Sequence, residues 1–313
     1  MSENGTIVLL ALFIEASFGY PNRLAAIIPH PVIGIGWVID QCAKLLNQET
    51  YSDQQRKIFG IATLGLLLIG GWLLGLYISQ RVGSSWIGIL ALATLGTCGL
   101  AQRSLYDHVH KVYLALAGQD LAQARQAVSM IVGRDTAALD ESGIAAAAIE
   151  SLAESFCDGV VAPVFWFLIG GLGGLIAFKA VSTADSMIGH KEVPWRDFGW
   201  ASARCDDVMN WIPARLSGAL IAIAGGQGWS VMMRDGAKHL SPNAGWPEAA
   251  MAGALGIRLG GDAYYDGARI ARAEFGSGPR PSANDLHRGL QLYRRACGLL
   301  WLGVLIMGVL WPL

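Results

Sequence analysis

Two uninterrupted apolar runs stand out along the chain, and each is bounded by basic residues. Residues 58–78 carry no charge between Arg56-Lys57 and Arg81, and residues 296–313 follow Arg294-Arg295. A helix needs about 20 apolar residues to cross the hydrocarbon of a bilayer, so both runs predict spans. Residues 86–101 are shorter and equally uncharged; with 58–78 they predict a helical hairpin around a tight turn holding Arg81, Gly83 and Ser84. Residues 6–18 predict a fourth span, in which Glu15 marks a buried or functional position, because an acid facing lipid is costly. Two further apolar stretches are broken. Residues 160–181 contain Pro163 and Gly170-Gly171-Leu172-Gly173-Gly174, and residues 212–226 begin with Pro213 and Arg215. Each either spans or folds back. Between these runs, residues 102–158 carry charge at helical spacing with few breakers, which predicts a helical region outside the membrane.

If both broken stretches cross, the polar loop 182–211 is stranded on the far side. If both re-enter, four spans place residues 22–57, 102–295 and every charged cluster on one cytoplasmic face, with both termini outside. The second topology is preferred, because non-helical backbone at membrane depth is tolerated only where protein or a wet cavity surrounds it. The expected fold is all-α: a multi-pass membrane protein whose residues 1–313 form one membrane domain, with a large cytoplasmic-side helical region and re-entrant segments. The first segment is expected to be retained, since Met1 to Gly5 carries Glu3 and lacks a basic n-region.

Composition strengthens the membrane reading: of 313 residues, 53% are apolar and only 15% charged, with a mean hydropathy of +0.41. A net charge of -1, from 23 basic and 24 acidic residues, points away from nucleic acid. The five cysteines (Cys42, Cys98, Cys157, Cys205, Cys297) are isolated, so neither zinc ligation nor a disulfide framework is expected.

Four clusters carry candidate chemistry. Glu150, Glu154 and Asp158 recur every four residues and form one acidic stripe on a helix. Like charges at that spacing repel, so the stripe is either a solvated face or a magnesium or amine site. Residues 182–191 follow the broken stretch with a small polar loop in which Asp185 suits a metal or orients a base, His190 suits a base, and Lys191 suits a phosphate. An ordinary cap and turn is the alternative. In residues 204–215, Asp206 and Asn210 lie one helical turn apart beside Asp207, with Arg204 and Arg215 flanking. Arginine forks suit carboxylates and phosphates, and local salt bridges are the alternative. Ser241 to Glu248, with Asn243 and Trp246, reads as a shaped turn leading into the Gly-dense stretch 253–261 that holds Arg258; tight helix packing is the alternative. His30 sits in a stiff Pro29-His30-Pro31 segment. His108 and His110, two residues apart on a helix, do not face one another and are rejected as metal ligands. Trp166, Trp195, Trp200, Trp211 and Trp246 are either interfacial anchors or aromatic walls.

Taken together these stretches resemble the CobD/CbiB family of cobalamin biosynthesis, the adenosylcobinamide-phosphate synthases, over nearly the whole chain. The resemblance rests on Pro29-His30-Pro31-Val32 with Gly36, on Val132-Gly133-Arg134-Asp135-Thr136, on Glu150 to Glu154, and on Asp158 to Pro163. It continues through Thr183 to Gly189, Asp206-Asp207, Asn210 to Arg215, and Ser241 to Glu248. Ser155, Glu15 and Ser182 depart from the family's usual Asn, Asp and Asn. The resemblance implies a cytoplasm-facing ligase of the cell (inner) membrane that joins (R)-1-amino-2-propanol, or its O-phosphate, to the f-side propionate of cobyric acid. It further implies ATP, an acyl phosphate and magnesium, with other cobalamin-pathway enzymes as partners. On that basis Glu150, Glu154, Asp158, Asp185, His190 and Lys191 are the expected catalytic residues. Glu154, Asp158, Asp185, Asp206 and Asp207 are the expected metal ligands. His30, Arg134, Asp135, Arg204, Asn210, Arg215, Asn243, Trp246, Glu248 and Arg258 are the expected substrate or phosphate contacts. A corrin transporter, or a noncatalytic scaffold for pathway enzymes, is the rival class.

Overall fold

Side-chain caps explain where most of the helices begin. In the computed structural model, which describes residues 2–19 and 30–310, the Ser2 hydroxyl accepts the Gly5 N–H and opens α1 (Glu3–Phe18). His30 Nδ1 accepts the Val32 N–H at the start of α2 (Pro31–Leu46). Ser52 and Gln55 form a reciprocal capping box on α3 (Asp53–Val82). Ser52→Ala is therefore expected to cost about 1 kcal/mol in thermal denaturation, and an unchanged melt would show the cap to be idle. Pro29, part of the 22–57 stretch, and residues 311–313 of the last apolar run lie outside the described residues.

The helices that follow are α4 (Trp86–Thr97), α5 (Gln102–Ala117), α6 (Leu121–Ser129) and α7 (Glu141–Phe156). A π-helical turn (Cys157–Val161) leads into α8 (Ala162–Ile188), α9 (Trp195–Phe198), α10 (Trp200–Met209) and α11 (Trp211–Gly225). After α12 (Trp229–Asp235) and α13 (Gly245–Leu255) come four short strands, and α14 (Ala283–Leu310) closes the described chain. Strand β1 (Leu259–Gly260) pairs antiparallel with β4 (Glu274–Phe275), and β2 (Ala263–Tyr265) with β3 (Ala268–Ile270). The all-α expectation is corrected at this point: the chain is mostly helical, with two small two-stranded sheets.

Contacts divide the chain into two units. Unit one comprises residues 1–101, 162–210 and 304–313; unit two comprises 102–161 and 211–303. In unit one, Ile39, Leu67, Ala180, Ala184, Ile188 and Phe198 form one buried cluster, and Ala162, Phe178, Val181 and Met209 another. In unit two, α7 is buried nearly all round, because the run Ala145 to Ala148 presents no bulk, and Phe156 meets Tyr293 edge-on at 5.5 Å. The Tyr293 hydroxyl donates to the Gln102 carbonyl at 2.7 Å and so secures the start of α5.

Three helices among the described residues are long and apolar enough to cross a membrane: α3, the Glu141–Ile188 run and α14. That matches the expected runs 58–78 and 296–313 and is compatible with a membrane protein. The other two expected spans fall in shorter helices. Residues 6–18 belong to a 16-residue helix, and 86–101 to a 12-residue helix that stops at Thr97. Gly99, just beyond that end, lies against the Leu175 side chain, 2.5 Å from where a Cβ would be. The stretch 160–181 reverses direction. Gly171 leaves helical geometry (φ 56, ψ -154), and a Cβ on Gly174 would collide with the Trp166 carbonyl. In a straight helix those two residues would be about 12 Å apart along the axis, so the backbone folds back at the glycines.

Candidate functional site

Helix α7 begins where Asp140 accepts the Gly143 N–H at 2.7 Å, and its register carries Glu150 and Glu154 into a polar cavity of about 280 Å³ within unit two. Glu150 is buried and fully engaged. Arg134 and Arg272 both reach its Oε2, the latter at 3.1 Å, while the Gly260 N–H donates to Oε1 at 2.7 Å. Arg134 arrives from the loop before α7 and Arg272 from the segment after β3, so this one carboxylate fastens three stretches that are far apart in sequence. Glu154, one turn on, opens into the cavity beside Glu248 and His239.

Glu248 is 1% exposed, and its Oε2 has no hydrogen-bond partner among the described residues; the Arg272 guanidinium is 3.7 Å away. Burial pushes this carboxyl well above the ordinary carboxylate range, and the neighbouring Glu150 and Glu154 push the same way against Arg272 and Arg134. Glu248 lies in the first turn of α13, where the helix dipole favours a negative charge by about 0.3–1 kcal/mol. The penalty for a desolvated, poorly paired ion is several kcal/mol, which outweighs that gain and favours the neutral acid. Burial, then Arg272, holds the His239 imidazole below its usual value, which makes it neutral at physiological pH. Its Nδ1 accepts the Ser241 N–H at 2.9 Å, so the proton of the neutral ring is on Nε2, which faces Glu248 Oε1 at 3.8 Å.

A second polar group lies in unit one, where α8 ends and α10 runs. Asn210 Nδ2 donates to Asp206 Oδ2 at 3.0 Å, while Asp206 Oδ1 is buried with no hydrogen-bond partner among the described residues. Asp185, Asp207 and Lys179 are the charges acting on Asp206, and Arg204 and Lys191 act on Asp207. His190 acts on Asp185, whose carbonyl takes the Gly189 N–H at 2.7 Å. His30 caps α2 and has Lys179 as its charged neighbour; burial, then that lysine, lowers its pKa.

The sequence clusters thus separate into the two units. Glu150, Glu154, Arg134 and Glu248 line the cavity in unit two; Asp185, Asp206, Asp207, Asn210, His190, Lys191, Arg204 and His30 belong to unit one. Asp158 falls in the π-helical turn, which breaks the four-residue register, and it does not line the cavity. Asp135 ties the loop before α7 to the β2–β3 hairpin, its carboxylate accepting the Gly267 N–H at 2.9 Å. Arg258 pairs with Glu274 at 3.6 Å. The Asn243 carbonyl takes the Trp246 N–H, and Trp246 and Trp211 bracket the Arg215 guanidinium at 4.6 and 4.1 Å. Trp200 carries Lys57 at 3.9 Å, Trp195 packs on the unit-one core, and Trp166 donates to the Met209 carbonyl. Among the described residues no three His, Cys, Asp or Glu side chains group as metal ligands. Sequence reasoning missed Arg272, His239 and Tyr265, all of which line the cavity.

With that geometry in place, comparison with known proteins decides the family. The CobD/CbiB protein model matches residues 8–293. The chain belongs to the CobD/CbiB family. Its relatives include proteins named cobalamin biosynthesis protein CobD from Rhodobacter capsulatus, 44% identical over 97% of this chain and 98% of that one, and from Sinorhizobium sp, 45% identical over 95% and 96%. The protein of that name from Geobacter metallireducens is 41% identical over 99% of both chains. No solved structure matches this CobD/CbiB chain.

Proposed function

We propose that this protein is the membrane-bound enzyme of cobalamin biosynthesis that joins (R)-1-amino-2-propanol, or its O-phosphate, to the f-side propionate of cobyric acid. The observation that carries this reading is the cavity of unit two, in which an open carboxylate, Glu154, sits beside two fixed guanidiniums and a buried acid. At about 280 Å³ it is smaller than the roughly 300–1,000 Å³ that drug-sized ligands occupy. It suits a small amine or the carboxylate arm of a corrin whose ring stays outside.

Amide formation requires a neutral amine and an activated acid. Glu154 holds the ammonium by charge and takes its proton, freeing the nitrogen lone pair to attack the acyl carbon. The C–O bond to the leaving phosphate then breaks, that phosphate takes the second N–H proton, and the first passes from Glu154 to solvent. Bound ATP with magnesium supplies the phosphoryl group that makes the carboxylate oxygen a leaving group, giving amide, ADP, phosphate and one proton. Magnesium usually keeps several waters and takes only one or two carboxylates besides phosphate oxygens. Within unit one, Asp206, whose Oδ1 has no hydrogen-bond partner among the described residues, and Asp185 would meet that limited demand. Lys191 and Arg204, in the same unit, would meet phosphate charge held there.

The reading is tested by incubating purified protein with cobyric acid, ATP, magnesium and each amine, and following the amidated corrin by mass spectrometry. Wild type is expected to form product. Glu154→Gln is expected to lose about 10²-fold or more, the usual size of a general-base contribution. Folded wild-type protein that gives no product with either amine would favour a scaffold or transporter.

A further inference from the structure

Glu248 is the cavity residue whose chemistry the amide reading leaves unassigned. One of its oxygens faces the Nε2–H of His239, and the other, Oε2, is buried on the wall of the cavity without a hydrogen-bond partner among the described residues. Both guanidiniums that face it are already bound to Glu150, and Arg272 stands 3.7 Å off. The remaining groups around the cavity are the Glu154 carboxylate and the Tyr265 phenol. Since His239 Nδ1 is occupied by the Ser241 N–H, the imidazole presents a donor to Oε1, and the carboxyl proton is left for Oε2. We propose that Glu248 works as a neutral carboxylic acid whose Oε2–H donates a hydrogen bond to an anionic oxygen, carboxyl or phosphoryl, of the molecule held in the cavity. This rests on the cavity being the amide-forming site. A protonated acid shielded from solvent is a strong, preorganised donor, whereas an ionised one would repel the same oxygen.

Infrared difference spectra of purified wild type minus Glu248→Gln at neutral pH are expected to show the carbonyl stretch of a protonated carboxylic acid, shifted in heavy water. Where the Gln variant does not accumulate, Glu248→Ala supplies the subtraction. In the mass-spectrometric assay Glu248→Gln, which keeps a neutral donor, is expected to stay within about tenfold of wild type. Glu248→Ala is expected to fall about 10²-fold or more, the loss seen when one oxyanion donor is removed. Wild-type rate should fall as pH rises through the Glu248 titration, because deprotonation removes the donor and adds a negative charge; the Gln variant should not follow. An Ala penalty equal with both amines assigns the oxygen to the acyl group, and one confined to the phosphate ester assigns it to the phosphoryl group. A missing carbonyl band, or a Gln variant as impaired as Ala, overturns the proposal while leaving amide formation intact. A band present without any amide product overturns the amide reading instead, and leaves the neutral acid standing.

Discussion

Glu150→Gln is expected to unfold or strongly destabilise the protein, by about 3–5 kcal/mol, the cost of removing one partner from a buried ion pair. The magnitude follows from what the carboxylate holds. Arg134 and Arg272 both lean on Oε2, each with its side chain at least 88% shielded from solvent, and the Gly260 N–H uses Oε1. Glutamine keeps the shape but leaves two guanidiniums facing an amide, one end of which is itself a donor. The check is the thermal melt of detergent-purified protein against wild type, together with accumulation in membranes. A melt indistinguishable from wild type would mean that the network contributes little, and that Glu150 is free for chemistry. The double variant Glu150→Gln, Arg272→Gln should recover part of the loss, since the second change removes one uncompensated charge.

Gly75→Val is the second large effect. A Cβ at position 75 on α3 would collide with the backbone of Gly173, just past the fold-back, with the Leu172 carbonyl carbon 2.7 Å away. Backbone cannot step aside as a side-chain tip can. Overpacking of this kind typically costs 1–3 kcal/mol, and a backbone clash is at the upper end, about 3 kcal/mol. Gly70→Val on the same helix, where a Cβ would meet nothing within 4 Å, is the matched control and should melt like wild type. Equal behaviour of the two variants would show that α3 and the fold-back do not pack this closely.

The long apolar runs were legible because span length and the lack of charge are local properties of sequence. The break at Gly170-Gly171 was legible too, but the sequence left residues 160–181 either to span or to fold back. The short helices α1 and α4 were not legible, because an apolar stretch does not reveal where its helix stops. In the site, Glu150 and Glu154 were legible from helical spacing. Asp158 shares their spacing in sequence but falls in a π-helical turn, which nothing in Cys157 to Val161 announces. Arg272 is 122 residues from its partner Glu150, a pairing that no local period encodes. A signal for its neighbourhood did exist: Asp266-Gly267 between Ala263–Tyr265 and Ala268–Ile270 is the Asp-Gly turn of a two-residue hairpin. Both turn residues take positive φ, 49° and 77°, as that turn demands. Reading it would have predicted the hairpin that places Arg272 and Tyr265 on the cavity wall.

The Ser2 N–H donates to the Gly308 carbonyl at 2.6 Å, so within unit one the first helix is tied to the last residues of the final one. Translation therefore imposes an order. At roughly 5–20 residues per second, α1 waits about 15–60 s after leaving the ribosome before that neighbour exists. During that interval its buried face, including Val8, Ala11 and Leu12, has only α4 and α8 to cover it, and they too are made later. A ribosome stalled before codon 304, or a message truncated there, would release a chain in which unit one is incomplete at its very first helix.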